Sequence, residues 1–181
     1  LNFEIELTTA PKFHAFFAMS LDGYIAGKDD DLSWLKPFES SNEDHGFLSF
    51  YQSCDALLMG RKTYDVVCLF KEWPYKDKPV YVASHREFSP SSHAKRLVGD
   101  FKSLASSADL AKFTKIYVDG GNLIRQALDS NELSTMTVSM IPVILGEGTR
   151  GLDPANSDHK LELIESKSFA SGIVQLRYRC L

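Results

Sequence analysis

Asp55-Ala56-Leu57-Leu58-Met59-Gly60-Arg61-Lys62-Thr63-Tyr64-Asp65-Val66-Val67 is the stretch on which the reading of the fold turns. Ala56 to Met59 is an unbroken apolar run, long enough for a buried strand and too short for most helices. Gly60 interrupts it, and from Arg61 to Leu69 apolar residues return at helical intervals, at Tyr64, Val67 and Cys68. A strand that turns at a glycine into a helix leaves free N–H groups at the turn, where the positive end of the helix dipole favours anions. Arg61 and Lys62 add charge there, and Thr63 adds a hydroxyl. Taken alone, the pattern fits either an anion site or a solvated basic turn.

The same pattern recurs downstream. Lys115-Ile116-Tyr117-Val118-Asp119 reads as a second buried strand; it ends at Gly120-Gly121, and Asn122-Leu123-Ile124 opens a helix. Pro79 to Ser84 reads as a strand that stops at Ser84-His85-Arg86. Upstream, Lys12 to Ser20 is an aromatic-rich first strand in which His14 is an ordinary strand histidine, Asp22-Gly23 marks a turn, and Tyr24 to Ala26 continues briefly. Ser40, Ser41 and Asn42 offer N-caps, with Glu43 and Asp44 in the first turn, so a helix is expected over Asn42 to Ser53. Further expectations are a short strand at Arg96 to Val98, a helix over Phe101 to Phe113, a long strand over Leu133 to Val143 and a flexible loop over Gly146 to Gly151. Leu161 to Phe169 and Ile173 to Tyr178 alternate as two strands of a hairpin. Strands alternating with helices imply βαβ crossovers, so the expected class is α/β, with helices on both faces of a mixed, mostly parallel sheet and an antiparallel C-terminal hairpin. One domain over residues 12–181 is expected, preceded by an N-terminal extension over residues 1–11.

Composition narrows the function. The chain has 181 residues, 44% of them hydrophobic and 24% charged, with net charge −4 and a pI near 5.7. That mild acidity argues against a nucleic-acid binder, whose domain is usually basic. Apolar stretches fall short of the ~20 residues a membrane span needs, and residues 1–12 do not read as a signal peptide. Three cysteines without CxxC spacing argue against a disulfide framework or a zinc site; Cys54 and Cys68 are expected as buried thiols. A cytoplasmic location is the resulting expectation.

In open α/β sheets, ligands bind beyond the carboxyl ends of the strands. Gly60-Arg61-Lys62-Thr63, Ser84-His85-Arg86 and Gly120-Gly121-Asn122-Leu123 would converge there. That donor set suits a pyrophosphate and one further phosphate, as in NADPH, since arginine pairs bidentately with phosphate. Neither a GxGxxG fingerprint nor a P-loop is present.

Four motifs in order, Met19–Ala26 (MSLDGYIA), Asp55–Tyr64 (DALLMGRKTY), Val118–Gly121 (VDGG) and Ile141–Gly148 (IPVILGEG), make the chain resemble the dihydrofolate reductase-like superfamily. Within it, the likeness is to the RibD-type C-terminal reductase domain of riboflavin biosynthesis and its stand-alone relatives. The resemblance implies an NADPH-dependent reductase that delivers hydride to a C=N or C=O carbon of a pterin-, pyrimidine- or ribitylamino-like substrate. It implies Arg61 at the 2′-phosphate, Ser84 and Arg86 at a second phosphate-contacting strand end, and Gly120-Gly121 as a glycine pair joined by a cis bond against the cofactor. It also implies two catalytic aspartates: Asp22 beside nicotinamide and substrate, and Asp44, where the fold's reductases place their pterin-binding carboxylate, as the acid that protonates the product, with Glu43 competing for that role. A homodimer through the closing hairpin is implied as well. The segment Gly27 to Ser53 holds Lys28 and Lys36 but no arginine, which argues against a ribose-phosphate substrate. Three alternatives stay open: a true dihydrofolate reductase, a nucleotide-binding protein without turnover, and a structural dimer.

Overall fold

The structure, a computed structural model, describes residues 10–39, 43–88, 93–152 and 158–181. β1 (Lys12–Ser20) is followed by the short β2 (Tyr24–Ala26) and two 3-10 turns, Lys28–Asp30 and Ser33–Phe38. Then come α1 (Phe47–Gln52), β3 (Ala56–Gly60), α2 (Arg61–Val67), β4 (Val80–Ala83) and β5 (Ala94–Leu97). α3 (Phe101–Ala105), β6 (Lys115–Asp119), α4 (Gly121–Asp129) and β7 (Leu133–Ile141) continue the alternation. β8 (Thr149–Arg150), β9 (Leu161–Ser168) and β10 (Val174–Cys180) complete the chain.

Eight strands form one sheet in the order β5-β4-β3-β6-β1-β7-β10-β9. The pairs from β5 through to β7 are parallel, and β10 pairs antiparallel with both β7 and β9. The alternation of each central strand sorts its side chains onto two cores. Phe13, Ala15, Leu58, Ile116 and Val118 point to the face covered by α3 and α4, where Phe101 packs edge-on against Phe13 with centroids 5.1 Å apart. Leu57, Met59, Val80, Val82 and Tyr117 point to the opposite face, covered by Tyr51 of α1 and Tyr64 of α2. Helices therefore lie on both faces, as the alternating pattern requires.

Several local expectations are corrected. Ser40, Ser41 and Asn42, the expected N-caps, lie outside the described residues, as do most of residues 1–11. α1 begins only at Phe47, because His45 (φ 54°) and Gly46 (φ 80°) are left-handed and interrupt any earlier helical path. Asp44 serves the helix start instead, accepting from the N–H groups of Gly46 (3.0 Å) and Leu48 (2.7 Å). α3 stops at Ala105, where Ser106 caps it, and the Ser107 carbonyl then accepts from Leu110 and Ala111. The loop expected as flexible contains β8, which pairs antiparallel with β2 as a separate ribbon. Cys54 is buried, but Cys68 is exposed, because α2 ends at Val67 and the chain turns outward past it.

His14 keeps its strand role. Its Nδ1 lies 2.7 Å from Thr135 Oγ1, and burial, with Lys115, Arg177 and Lys12 nearby, pushes its pKa down to about 4. No helix among the described residues is long and apolar enough to cross a membrane.

Candidate functional site

Parallel pairing of β1, β3, β4, β6 and β7 brings their carboxyl ends to one edge of the sheet. Gly60, Ser84, Gly120 and Asp22 all follow those ends, so the three segments singled out in the sequence do meet. Contact is closest between the starts of α2 and α4. Gly120 has φ +98°, and a Cβ on it would stand 2.5 Å from Thr63 Oγ1. A Cβ on Gly121 would stand 2.7 Å from Ile25 Cδ1 and 3.1 Å from the Gly151 carbonyl. Glycine is thus imposed at both positions, by conformation and space at the first and by space at the second. The expected cis bond is not found, since no described peptide bond is cis; the left-handed Gly120 turns the chain into α4 instead.

Two cations at this edge, Arg61 and Lys62, are already partnered. Arg61 donates from Nε to Asp65 Oδ1 at 2.7 Å, and its guanidinium lies 4.1 Å from the Phe88 ring centroid. Lys62 reaches Asp30 Oδ1 at 2.6 Å, and Thr149 of β8 donates to the same oxygen at 3.2 Å. This ties the β2–β8 ribbon to the start of α2. At the end of β4, buried Ser84 donates to the Arg86 carbonyl at 2.8 Å, while His85 and Arg86 are exposed. Arg96, which the sequence reading passed over, donates to the carbonyls of Ser84 (3.2 Å) and His85 (3.1 Å) and fixes that loop. Asn122 accepts from Gln126 within α4. Leu123 is buried in the core, so only its main chain is available to a ligand.

The two aspartates expected to be catalytic are placed apart. Asp22 accepts from the Ser20 hydroxyl (2.7 Å) and from the N–H groups of Leu145 (3.1 Å) and Gly146 (2.7 Å). Desolvation opposes the charge, but these donors together outweigh it and hold the carboxyl down at about 2. A carboxylate so held pins the 141–148 loop to the end of β1 and is a poor proton donor. Asp44 lines a pocket of about 540 Å³ bounded by β1, the 33–38 turn, the start of α1, the end of β7 and the hairpin turn. Its carboxyl lies below the usual range because the Leu48 and Gly46 N–H groups stabilise the anion.

Asp119 was quoted in the VDGG motif but not proposed for a role. It closes β6 beside Met59 of β3, and the register that pairs Ala15 with Val118 carries its side chain to the face of the pocket-lining Phe16. Some surface stays exposed, yet desolvation pushes its carboxyl up to about 6, against the stabilising Gly120 N–H and Tyr117 hydroxyl. The signal available in the sequence was a single acid ending the otherwise apolar run Ile116 to Val118. Among the described residues no cluster of His, Cys, Asp and Glu could hold a metal ion.

Two outcomes follow. Gly120→Ala should lose roughly 1–3 kcal/mol in chemical denaturation, the usual cost of a strained left-handed residue, and Thr63→Ala in the same chain should recover part of it. Asp119 has a folded pKa near 6 against 3.8, so the fold favours its protonated form and wild-type stability declines as pH rises from 4 to 6. Asp119→Asn should therefore be more stable than wild type at pH 7.5 by roughly 2–3 kcal/mol, with the gain shrinking below pH 4; an unchanged difference across that range would remove the buried-acid assignment.

The family model of the RibD C-terminal domain matches residues 11–175. Among curated proteins, YwjB of Bacillus subtilis (strain 168) is 32% identical over 90% of this chain and 94% of its own. YyaP of the same organism is 26% identical over 89% and 90%; neither carries an activity in its name. A Shewanella sp. PV-4 protein named for riboflavin biosynthesis is 30% identical, covers 94% of this chain and 99% of its own, and superposes with a TM-score of 0.87. At 13% identity, the Thermotoga maritima deaminase/5-amino-6-(5-phosphoribosylamino)uracil reductase covers 95% of this chain and 57% of its own, with a TM-score of 0.71. An Enterococcus faecalis dihydrofolate reductase complexed with NADP(H) shares the fold at 12% identity, with coverage of 93% and 96% and a TM-score of 0.66. With the dihydrofolate reductase-like sheet, its glycine-lined edge and a family match over nearly all of its length, the chain belongs to the RibD C-terminal domain family.

Proposed function

We propose that this chain is an NADPH-dependent reductase that passes hydride to a C=N or C=O carbon of a small heterocyclic substrate. The observation that carries this reading is the adjacency of the glycine-bearing ends of β3 and β6, with the basic start of α2, and an open pocket of about 540 Å³ that begins at Phe16 on the neighbouring β1. The cofactor passes a test of fit at the start of α2: a Cβ on Gly60 would meet nothing within 4 Å, so the turn is open to a ligand, and Arg61, Lys62 and Thr63 follow it directly. Gly60, Thr63, Gly120, Gly121 and the main chain of Asn122 and Leu123 would hold the pyrophosphate. Arg61, held over the Phe88 ring and bidentate-capable, would hold the 2′-phosphate with Lys62, and Ser84, His85 and Arg86 would line the adenosine side. When bound, NADPH supplies the hydride.

The chain's own residues supply the rest. Asp22 keeps the 141–148 loop over the end of β1, and Ile25 seats the β2–β8 ribbon against Gly121. Asp119, with its pKa near 6, holds a proton close to neutral pH on the face that carries Phe16, and is a better general acid than Asp44, which stays ionised. Asp44 is then a binding carboxylate. The open edge strand β9 is exposed along its whole length, with Leu161, Leu163 and Ile164 among its exposed side chains, which supports the proposal of a homodimer through this hairpin.

A screen of pterin, pyrimidine, imine and carbonyl compounds by loss of NADPH absorbance tests the activity, and a thermal shift with NADPH tests the cofactor site; no shift would sink the reductase reading. Arg61→Ala should lower the preference for NADPH over NADH by tenfold or more, and unchanged selectivity would remove the phosphate assignment. Sedimentation should return a dimer that Leu163→Lys converts to monomer.

A further inference from the structure

The pocket's walls and its rim differ sharply in chemistry. Phe16, Phe38, Phe47, Leu35, Ile141 and Ile173 make the walls apolar and largely aromatic. At about 540 Å³ the space suits a flat ring system with a short arm. Two lining side chains other than the carboxylates carry polar groups: His45, whose Nε2 lies 3.5 Å from Ser171 Oγ at the hairpin turn, and Ser139, which is 5% exposed, accepts at Oγ from Gln175 at 3.0 Å, and has no protein acceptor for its own hydroxyl proton among the described residues. Around the rim stand Glu39, Glu43 and Asp44, and among the lining residues there is neither lysine nor arginine. Asp44 spends both oxygens on main-chain N–H groups and Glu43 accepts from the His45 N–H, so these carboxylates are built into the rim as anions. Lys36 on the 33–38 turn sits in the field of Asp31, and Lys167 of β9, beside the hairpin turn, lies 4.5 Å from the Phe169 ring centroid.

From this we propose that the pocket selects an unphosphorylated substrate: an aromatic heterocycle whose ring acceptor meets the Ser139 hydroxyl and whose arm is neutral or carries an amine toward Glu39, Glu43 and Asp44. The inference rests on the reductase reading of the same site. A phosphate on the arm would meet three like charges at a mouth with low-dielectric walls, which focus the field and reject the ligand. Such a substrate departs from the phosphoribosyl compound named for the Thermotoga maritima reductase, whose fold this chain shares.

The test is calorimetric titration of the NADPH-saturated protein with matched ligands on a uracil and on a pterin ring, each bearing a hydroxyl, an amine or a phosphate on the same arm. On at least one ring the hydroxyl and amine forms should bind tenfold or more tightly than the phosphate form at about 50 mM salt, and the gap should narrow as salt screens the rim. Glu39→Gln with Glu43→Gln should narrow it at low salt; if that variant fails to fold, the salt series alone decides. A phosphate form that binds as well as or better than its hydroxyl partner overturns the proposal. So does its loss of affinity in Lys36→Ala with Lys167→Ala, and so does the absence of binding by every ligand. NADPH oxidation is followed in the same samples. Selective binding without oxidation removes the reductase reading and leaves the charge selection standing, whereas oxidation that favours the phosphate form retains the reductase and removes the selection.

Discussion

The site hangs on a contact that admits no Cβ. Gly120 at φ +98° lies so near Thr63 that any side chain would overlap its hydroxyl, and through this contact the starts of α2 and α4 stand side by side at the sheet edge. Thr63 owes its place to Gly60, which ends β3, and Gly120 owes its own to β6, the neighbour of β3 in the sheet. The parallel register sets the approach, and the glycine allows it. Gly121 repeats the device one residue on, seating Ile25 of the β2–β8 ribbon. Two helix starts and a ribbon thus meet at one end of the sheet.

Charge is distributed around that end of the sheet with a consistent logic. Basic groups cluster on the α2 and β4 side, and the two on α2 are oriented by partners: Arg61 by Asp65 and Phe88, Lys62 by Asp30. Acidic groups cluster on the side of α1, around the pocket. This division of charge matches the proposed anionic cofactor on one side and the proposed uncharged or cationic substrate on the other. Between the halves sits Asp119, whose desolvated carboxyl holds its proton to a higher pH than any exposed aspartate. Asp22 shows the opposite treatment of the same side chain, since the donors of Ser20, Leu145 and Gly146 keep it ionised. Two aspartates at neighbouring strand ends are thus given different protonation by their surroundings, which suits one to proton transfer and the other to holding a loop.

Much of this was legible in the chain itself. Short apolar runs broken by glycine located β3 and β6, and the aromatic-rich run located β1 at its observed bounds, because a strand buried on both faces must be apolar throughout. The order of four motifs was enough for the family and the fold. What depended on distant partners was not legible. Asp44 was expected inside a helix, but left-handed His45 and Gly46 put it before one. β8 resembled a loop because two residues have no periodicity, and only its partner β2 makes it a strand. Arg96 and Asp119 escaped notice because their roles come from what faces them across neighbouring strands.

By itself, then, the sequence determined the alternation of strands and helices, the two-faced burial of the central strands and the glycines at their ends, since these follow from local pattern and backbone sterics. Tertiary structure alone decided which acid is desolvated, which is locked as an anion and which rims the pocket. Protonation depends on the count of donors and the depth of burial around a carboxyl, and residues far apart in the chain contribute to both: Gly146 for Asp22, Met59 for Asp119.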